Sequence, residues 1–370
     1  MTVAALMFPA LFALVLAGIP VAFSLAIVSA GAGLVAFGPN VFGQLYGSFY
    51  SAATNFILAA IPMFVLMGAI LERSGIAERL FKVMQIWLGR LPGGLAVATI
   101  AMGAVFAAAA GVVGAVEVMI GMMAIPAMQR YRYNNSLIAG TICAGGSLGT
   151  MIPPSVIAVM YASLAQISVG ELLAGIASPT EAAAVGALGA LVVCVFYGRF
   201  SIGMLREALK ITVRISAMIL LIVAAGTMFM GTFAANGGSR LIRSAVESAG
   251  FGEVGVIVFF LVIVLLLGFV LDWTANVLIC VPLFTPFVRQ AGIDPVWFGT
   301  MVIIVIQTSY LTPPMASSIF YLKSIAPPDM TYGQMYRGVL PFIFLQLVTL
   351  AIVALFPAIA TWLPDQIEGF

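Results

Sequence analysis

The sequence predicts an all-α polytopic membrane protein, and three observations carry that prediction. Of the 370 residues, 63% are apolar and only 8% are charged, against about 25% charged in a soluble domain. Apolar runs recur along the whole chain, several of them near the ~20 residues a helix needs to cross a bilayer. Gly and Pro interrupt many of these runs, and the interruptions recur in the same order in the two halves.

Composition also excludes whole function classes. A net charge of +2 offers nucleic acid no electrostatic partner. The chain has no His, so a His-based triad or a His-containing zinc site is impossible. Cys143, Cys194 and Cys280 lie scattered in apolar stretches and form no ligand spacing, so they read as core residues. No paired carboxylates suit acid–base chemistry, and an enzyme is not expected.

The elements follow in order. Met1 to Phe37 carries no charge; with Pro20 and several glycines it is one kinked crossing or a broken one. It lacks the basic start of a cleavable signal peptide. Further apolar segments are expected near 54–71, 94–110, 111–128, 135–152, 154–166, 178–198, 212–235, 254–271, 273–288, 296–311, 313–326 and 338–356. Several are too short to span alone. Short interrupted segments in pairs are the mark of broken helices and re-entrant hairpins in secondary transporters. Charges gather between the segments. Glu72 to Leu88 and Phe200 to Val213 are expected to lie along the membrane surface as arm-like helices.

Two halves can be superposed by their landmarks. The run Ser74-Gly75-Ile76-Ala77-Glu78-Arg79-Leu80 lies over Asn236-Gly237-Gly238-Ser239-Arg240-Leu241, Pro126 with Arg130 matches Pro286 with Arg289, and Pro153-Pro154 matches Pro313-Pro314. Pro126 to Pro153 spans 27 residues, as does Pro286 to Pro313. Matched spacing over an ordered series of landmarks indicates duplication. The expected organisation is N-terminal scaffold helices over 1–61, a first inverted repeat over 62–166, a connecting region over 167–224, a second inverted repeat over 225–326, and a C-terminal helix over 327–370.

The breaks predict chemistry. Gly145-Gly146-Ser147-Leu148-Gly149-Thr150 precedes one Pro-Pro pair, and Gln307-Thr308-Ser309-Tyr310-Leu311-Thr312 precedes the other. Consecutive prolines remove two N–H donors and break the helix. In lipid, broken backbone survives only against protein or a cavity. Freed carbonyls and hydroxyls are hard oxygen ligands, which suit Na⁺ better than a soft metal. Opposed half-helix N-termini favour an anionic substrate. The stretches near Gly111 and Asp272 read as the tips of re-entrant hairpins.

Taken together, these motifs resemble the large membrane subunit of the tripartite ATP-independent periplasmic (TRAP) transporters. The resemblance rests on Ala60-Ile61-Pro62-Met63-Phe64, Glu72-Arg73-Ser74-Gly75-Ile76-Ala77-Glu78-Arg79-Leu80, Gly89-Arg90-Leu91-Pro92-Gly93-Gly94, Ile152-Pro153-Pro154-Ser155, Pro179-Thr180-Glu181-Ala182-Ala183-Ala184, Gly292-Ile293-Asp294-Pro295 and Leu311-Thr312-Pro313-Pro314. It implies an elevator-type, Na⁺-coupled importer in the bacterial inner membrane. It implies a small membrane subunit and a periplasmic binding protein as partners, and a carboxylate as substrate. Two features depart from the family pattern. The first tip is Ala-Gly-Val-Val-Gly at 110–114, without hydroxyls. The family also carries several dozen more residues between the halves, so Ile176/Ala177 reads as a join across a missing segment. A standalone ion-coupled transporter or antiporter of related fold is the alternative function.

The expected metal ligands are therefore Asp272, Asn276, Thr308, Ser309 and Thr312 in the second half, and Gly111, Gly145, Gly146, Ser147 and Thr150 in the first, backbone carbonyls doing most of the work. Asp272 is the sharpest candidate. A carboxylate at membrane depth costs about 2.5–3.5 kcal/mol by insertion scales and is functional by default. Its competing role is a helix N-cap, and both roles can coexist. Asn276, one turn on, reads as a ligand or as a brace for the tip. Glu117 reads equally as a structural pair or an ion ligand. Glu181 follows Ser178-Pro179-Thr180 and reads as a helix-start acid. No arginine presents itself as a substrate clamp.

Overall fold

Prolines and glycines decide where the apolar sequence stops being helical. The structure, a computed structural model, describes the chain except for residues 1, 90, 111–112, 149–150, 152–154, 168–178, 249, 251, 314–315 and 369–370. No strand occurs among the described residues. The first 37 residues form a broken element: α1 (Thr2–Leu16) and α2 (Val21–Phe37) are separated by Gly18, at φ +87°, and by Pro20. α3 (Val41–Ala53) follows. Three stretches are long and apolar enough to cross a membrane: Val21–Ala53, Ile202–Ala235 and Tyr332–Leu355. Several other apolar helices have only 10–17 residues, short of a full crossing.

The first half contains α4 (Ala60–Arg73), α5 (Ile76–Leu88), α6 (Gly94–Ala110), α7 (Val113–Arg130), α8 (Asn135–Ser147) and α9 (Val156–Ala165). After α10 (Pro179–Phe196), the second half runs through α11 (Ile202–Ala235), α12 (Gly238–Ser248), α13 (Glu253–Leu267), α14 (Trp273–Gln290), α15 (Pro295–Leu311) and α16 (Ser317–Lys323). α17 (Tyr332–Leu355) and α18 (Ala358–Glu368) close the chain. The order is the same in both halves: a short amphipathic helix, two antiparallel hairpin arms, a helix, a break and a shorter helix. Local chemistry repeats as well. Gly75 (φ +69°) and Gly237 (φ +84°) make the left-handed turns before α5 and α12, a conformation other residues adopt at a cost. The side chains of Asn134 and Asp294 accept backbone N–H groups at the starts of α8 and α15, which satisfies donors the helix leaves open.

One expected arm is not an arm. Phe200 to Val213 does not form a separate surface helix. From Ile202 it belongs to α11, which runs 34 residues without a break. At 1.5 Å per residue that is about 50 Å, longer than the hydrocarbon core. No Gly or Pro interrupts Met204 to Ala225, and Ala208, Thr212 and Ser216 are buried on one side of it. The second short amphipathic helix is α12 instead. In the first half the arm is α5, shorter than expected because Glu72 and Arg73 end α4.

The two halves pack by exchange. α9, which follows the first break, packs on α14 of the second hairpin, and α16, which follows the second break, packs on α7 of the first. The cores record the same exchange. One joins Leu95 to Cys143 with Leu311 to Leu322. The larger one joins Val156 to Ala165 with Ala275 to Ile306 and with scaffold helices α1, α2 and α11. Reciprocal contact of this kind is what a two-fold relation generates. The bases of the hairpins are tied down in the same sense. Arg289 on α14 donates to the carbonyls of Ala165 (2.7 Å) and Gln166 at the end of α9. Gln129 on α7 donates to Asp329 (3.5 Å), beyond the end of α16. The join Ile176/Ala177 lies outside the described residues.

Candidate functional site

The second hairpin turns at 268–272, between α13 and α14. Asp272 caps α14: its Oδ2 accepts the backbone N–H of Thr274 at 3.0 Å. Its Oδ1 is buried and has no hydrogen-bond partner. The cap therefore uses one oxygen and leaves the other inside the protein. Asn276 is fully buried and braces the tip. Its Nδ2 donates to the carbonyl of Val264 on α13 (2.9 Å), and its Oδ1 accepts from Cys280 (3.1 Å). With both ends of its amide engaged within the hairpin, Asn276 holds the arms together, the brace that was the other reading of this residue.

The broken helix of the second half meets that tip. A Cβ added to Gly268 would lie 2.3 Å from Ser309 Oγ, so only glycine lets the turn approach so closely. α15 stops at Leu311, and Thr312 is extended (φ −88°, ψ 131°). Proline brings no N–H, so Pro313 and Pro314 deprive the carbonyls of Ser309 and Tyr310 of their usual donors. Ser309 O accepts the N–H of Thr312 instead. Ala316 restarts the helix from a left-handed conformation (φ 38°, ψ 61°), which for a residue with a Cβ costs of order 1–3 kcal/mol. Three hydroxyls line the end of the helix. Thr308 donates to Ile304 O, Ser309 to Ile306 O and Thr312 to Thr308 O, at 2.6–2.8 Å. Each proton is turned back onto the helix, so the lone pairs of each oxygen remain able to accept.

In the first half, α8 ends at Ser147 and α9 begins at Val156, capped by the Ser155 side chain on Ala158 N. The helix does not run through. Gly111 and Thr150 lie outside the described residues. Gly145 is a packing position: Gly103 of α6 approaches it so closely that a Cβ there would lie 2.4 Å from its carbonyl carbon. Gly146 lies under the side chain of Glu117, 2.1 Å from where its own Cβ would be, and its carbonyl accepts from Leu148 N. These two glycines serve close helix packing, the usual role of small residues at membrane-helix interfaces.

Ser147 carries the contact that joins the halves. Its hydroxyl donates to Ala144 O (2.9 Å) and accepts from Gln307 Nε2 (3.2 Å). These two residues stand 160 positions apart. The same offset separates Pro126 from Pro286 and Pro153 from Pro313, so Ser147 and Gln307 are equivalent positions meeting each other. Two equivalent positions touch where a two-fold axis passes. Around that seam lie Glu117, which the sequence left between a structural pair and an ion ligand, and Gln307, which it did not single out. Gln307 Oε1 and Glu117 Oε2 are buried without partners. Glu117 Oε1 accepts from Ser318 on α16 of the other half. Tyr310 and Tyr321 bond each other and lie within the electrostatic reach of both Glu117 and Asp272. The signal for Gln307 was present as its 160-residue offset from Ser147, but an amide in a Ser/Thr-rich stretch does not draw notice.

Behind this layer, a crevice of about 310 Å³ separates α9 and α14 from the scaffold helices α3 and α11, with Asn55, Ser163 and Thr227 on its walls. Asn55 Nδ2 donates to Ser163 Oγ (3.0 Å) across the boundary.

Two matched breaks, a re-entrant hairpin facing each and an exchanged core describe the geometry. The model of the family described as tripartite ATP-independent periplasmic transporter, DctM component, matches residues 8–175 and 169–359. The chain belongs to that family. Among its relatives is the C4-dicarboxylate TRAP transporter large permease protein DctM of Pseudomonas aeruginosa, 28% identical over 90% of this chain and 92% of the relative. The sialic acid TRAP transporter large permease protein SiaM of Vibrio cholerae is 27% identical over 96% of this chain and 97% of the relative. The fold is also similar to that of the Alcanivorax borkumensis YdaH transporter, with a TM-score of 0.56 and 15% identity, covering 95% of this chain and 99% of that one. The alignment with SiaM extends over 418 residues, more than the 370 of this chain. The TRAP relative therefore carries residues that have no counterpart here. The two matches of the family model meet at 169–175, beside the join at Ile176/Ala177.

Proposed function

We propose that this chain is the large permease subunit of a Na⁺-coupled transporter that imports an organic carboxylate. One observation carries the coupling: Asp272 Oδ1 is buried without a partner at a hairpin tip that closes on a helix end rich in hydroxyl oxygens. An unpaired buried carboxylate is costly and calls for a positive charge. The residues present fit Na⁺. Asp272 Oδ1 and the oxygens of Thr308, Ser309 and Thr312 are hard donors, and no cluster of His, Cys, Asp or Glu suited to a multivalent ion occurs among the described residues. Those four residues would hold the ion, with backbone carbonyls at the break; a matching site in the first half would use the helix end at Ser147. When bound, Na⁺ supplies the charge that offsets the carboxylate. Without that offset, Asp272 and the open carbonyls resist movement of the hairpin through lipid. With it, the hairpins and broken helices can move as one body against α2, α3 and α11 in an elevator motion.

The carboxylate class rests on two supports. The relatives named above take C4-dicarboxylates and sialic acid, and the half-helix N-terminus at α9 favours an anion. The family also supports the expected partners, a small membrane subunit and a periplasmic binding protein, and a place in the bacterial inner membrane. The test is uptake by proteoliposomes holding this chain and its small subunit, with candidate carboxylates presented on the binding protein. Uptake should need both an inward Na⁺ gradient and the binding protein. Equal uptake in K⁺ medium refutes the coupling, and equal uptake without the binding protein points to a standalone carrier.

A further inference from the structure

α11 is longer than a bilayer asks of it, and the surplus has a chemistry of its own. Ile215 to Ala235 holds 21 residues and no charged side chain. That is about 31 Å of helix, which matches the ~30 Å hydrocarbon core. The charges begin at the next residue outward, Arg214. The 13 residues from Ile202 to Arg214, about 20 Å of the same unbroken helix, start at the level of the lipid headgroups and lead out of the core. Ser201 caps this end by accepting the N–H of Met204 at 3.0 Å, so the segment is held helical to its first turn.

The segment has three faces. Met204 and Ala208 are buried with Ala69 and Ile70 of α4 and Ala190 and Cys194 of α10, which fixes it to the scaffold. Ile202, Leu205, Leu209 and Val213 form an apolar stripe along one side, spaced i, i+3, i+7 and i+11. Three of them are exposed and Leu205 is half-buried. Arg206, Lys210 and Arg214, at i, i+4 and i+8, form a basic stripe beside it. The two stripes line a surface groove of about 590 Å³. The one acid in the segment, Glu207, pairs with Lys210 at 2.7 Å. No acid pairs with Arg206 or Arg214 among the described residues. Arg73, at the end of α4, adds a further positive charge within electrostatic reach of Glu207.

An exposed apolar stripe suits neither water nor a solvated protein surface, and unpaired guanidinium groups do not suit lipid tails. Both stripes are satisfied by one molecule with an anionic head and apolar chains, met where the helix leaves the core. Long basic side chains at such a depth lay their stems on apolar surface and carry the charge to the headgroups, and basic clusters beside a membrane span attract anionic lipids.

We propose that the first third of α11 binds an anionic phospholipid, its phosphate held by Arg206 and Arg214 and the upper part of its chains laid on Leu209 and Val213. The site is independent of Na⁺ coupling. It would hold the scaffold at a constant depth while the hairpins move.

The test is native mass spectrometry of the full chain released from nanodiscs made of equal parts phosphatidylglycerol and phosphatidylcholine. Wild type should retain phosphatidylglycerol in preference to phosphatidylcholine. The double variant Arg206→Gln/Arg214→Gln should lose that preference by about fivefold per arginine removed, whereas Arg206→Lys/Arg214→Lys should keep most of it. Both arginines are exposed, so the variants should melt like wild type in phosphatidylcholine alone. Should the Gln variant fail to fold, salt decides: raising the ionic strength before release should weaken the preference of wild type, because exposed charges are screened. No preference in wild type, a preference unmoved by salt, or a wild-type preference in the Gln variant overturns the proposal. A Gln variant that keeps the preference but no longer retains the small membrane subunit overturns it as well, and assigns the groove to that subunit.

Discussion

In the second half of the molecule the buried charge stands at the tip of a hairpin; in the first half it stands on the arm behind the tip. Asp272 caps its own helix and faces the end of α15, whose Thr308, Ser309 and Thr312 oxygens lie within one turn. Glu117 reaches across Gly146 to Ser318 in the other half. The backbone of the two halves is the same device, set by Gly and Pro at matched positions. The polar chemistry is not duplicated. Proline and glycine constrain the chain wherever they stand, so the fold repeats even where the polar side chains do not.

The comparison can be broken at the points of closest approach. Gly103→Ala should have the largest effect on stability. Its Cβ would meet the backbone of Gly145, which cannot yield without moving α8, and overpacking of this kind costs about 1–3 kcal/mol. A clearly lower melting temperature in nanodiscs is the expected result. Gly268→Ala makes the matching intrusion in the second half, but against Ser309. It should push the tip off the broken helix, so Na⁺ affinity should fall along with stability; Gly103→Ala should leave the affinity of the Asp272 site near wild type. Equal loss of affinity in both variants would mean that Na⁺ affinity does not depend on the fit of the second tip to its broken helix.

Smaller changes sharpen the same contrast. Asn276→Ala removes the brace between α13 and α14; Val264 O keeps the N–H of Gly268 but loses the Asn276 amide, a loss of about 1 kcal/mol. Proteolysis at the 268–272 turn should quicken while the first hairpin stays protected. The position equivalent to Asn276 is Val116, so the first hairpin has no such brace to lose. Ser147→Ala should have the smallest effect. Interhelical hydrogen bonds in membranes average about 0.6 kcal/mol, and Gln307 can turn to another partner. A drop of many degrees in its melting temperature would show that the Ser147–Gln307 contact holds the halves together far more strongly than a single bond can.

Most of the fold was legible because Gly and Pro act locally. The breaks after Ser147 and Leu311 stand where the Pro-Pro pairs predict, and the broken start of the chain follows Gly18 and Pro20. The arm expected over Phe200 to Val213 failed for the complementary reason. Charge spacing shows that a helix has a polar face, but not whether the helix ends, and nothing between Met204 and Ala225 ends α11. The site was legible only in outline. Asp272 stands out because it is an acid in an apolar run, and Thr308, Ser309 and Thr312 because they cluster. Asn276, Gly145 and Gly146 have the residue types of ligands or of braces, and their packing roles show only in their neighbours: Val264 O, the backbone of α6 and the side chain of Glu117. Ser318 and Gln307 matter through contacts more than 150 residues away in the chain, which no local pattern announces.

The central claim is that Asp272 serves as a ligand and not merely as a helix cap. The most direct measurement is the Na⁺ concentration dependence of carboxylate uptake by wild type and Asp272→Asn at matched amounts of folded protein. An asparagine still accepts the N–H of Thr274, so the cap survives while the charge is lost. The account predicts that Asp272→Asn remains inserted and folded but needs much more Na⁺ for half-maximal uptake and loses most of its maximal rate. A Na⁺ activation curve that superimposes on that of wild type, with only the yield of protein reduced, would contradict it.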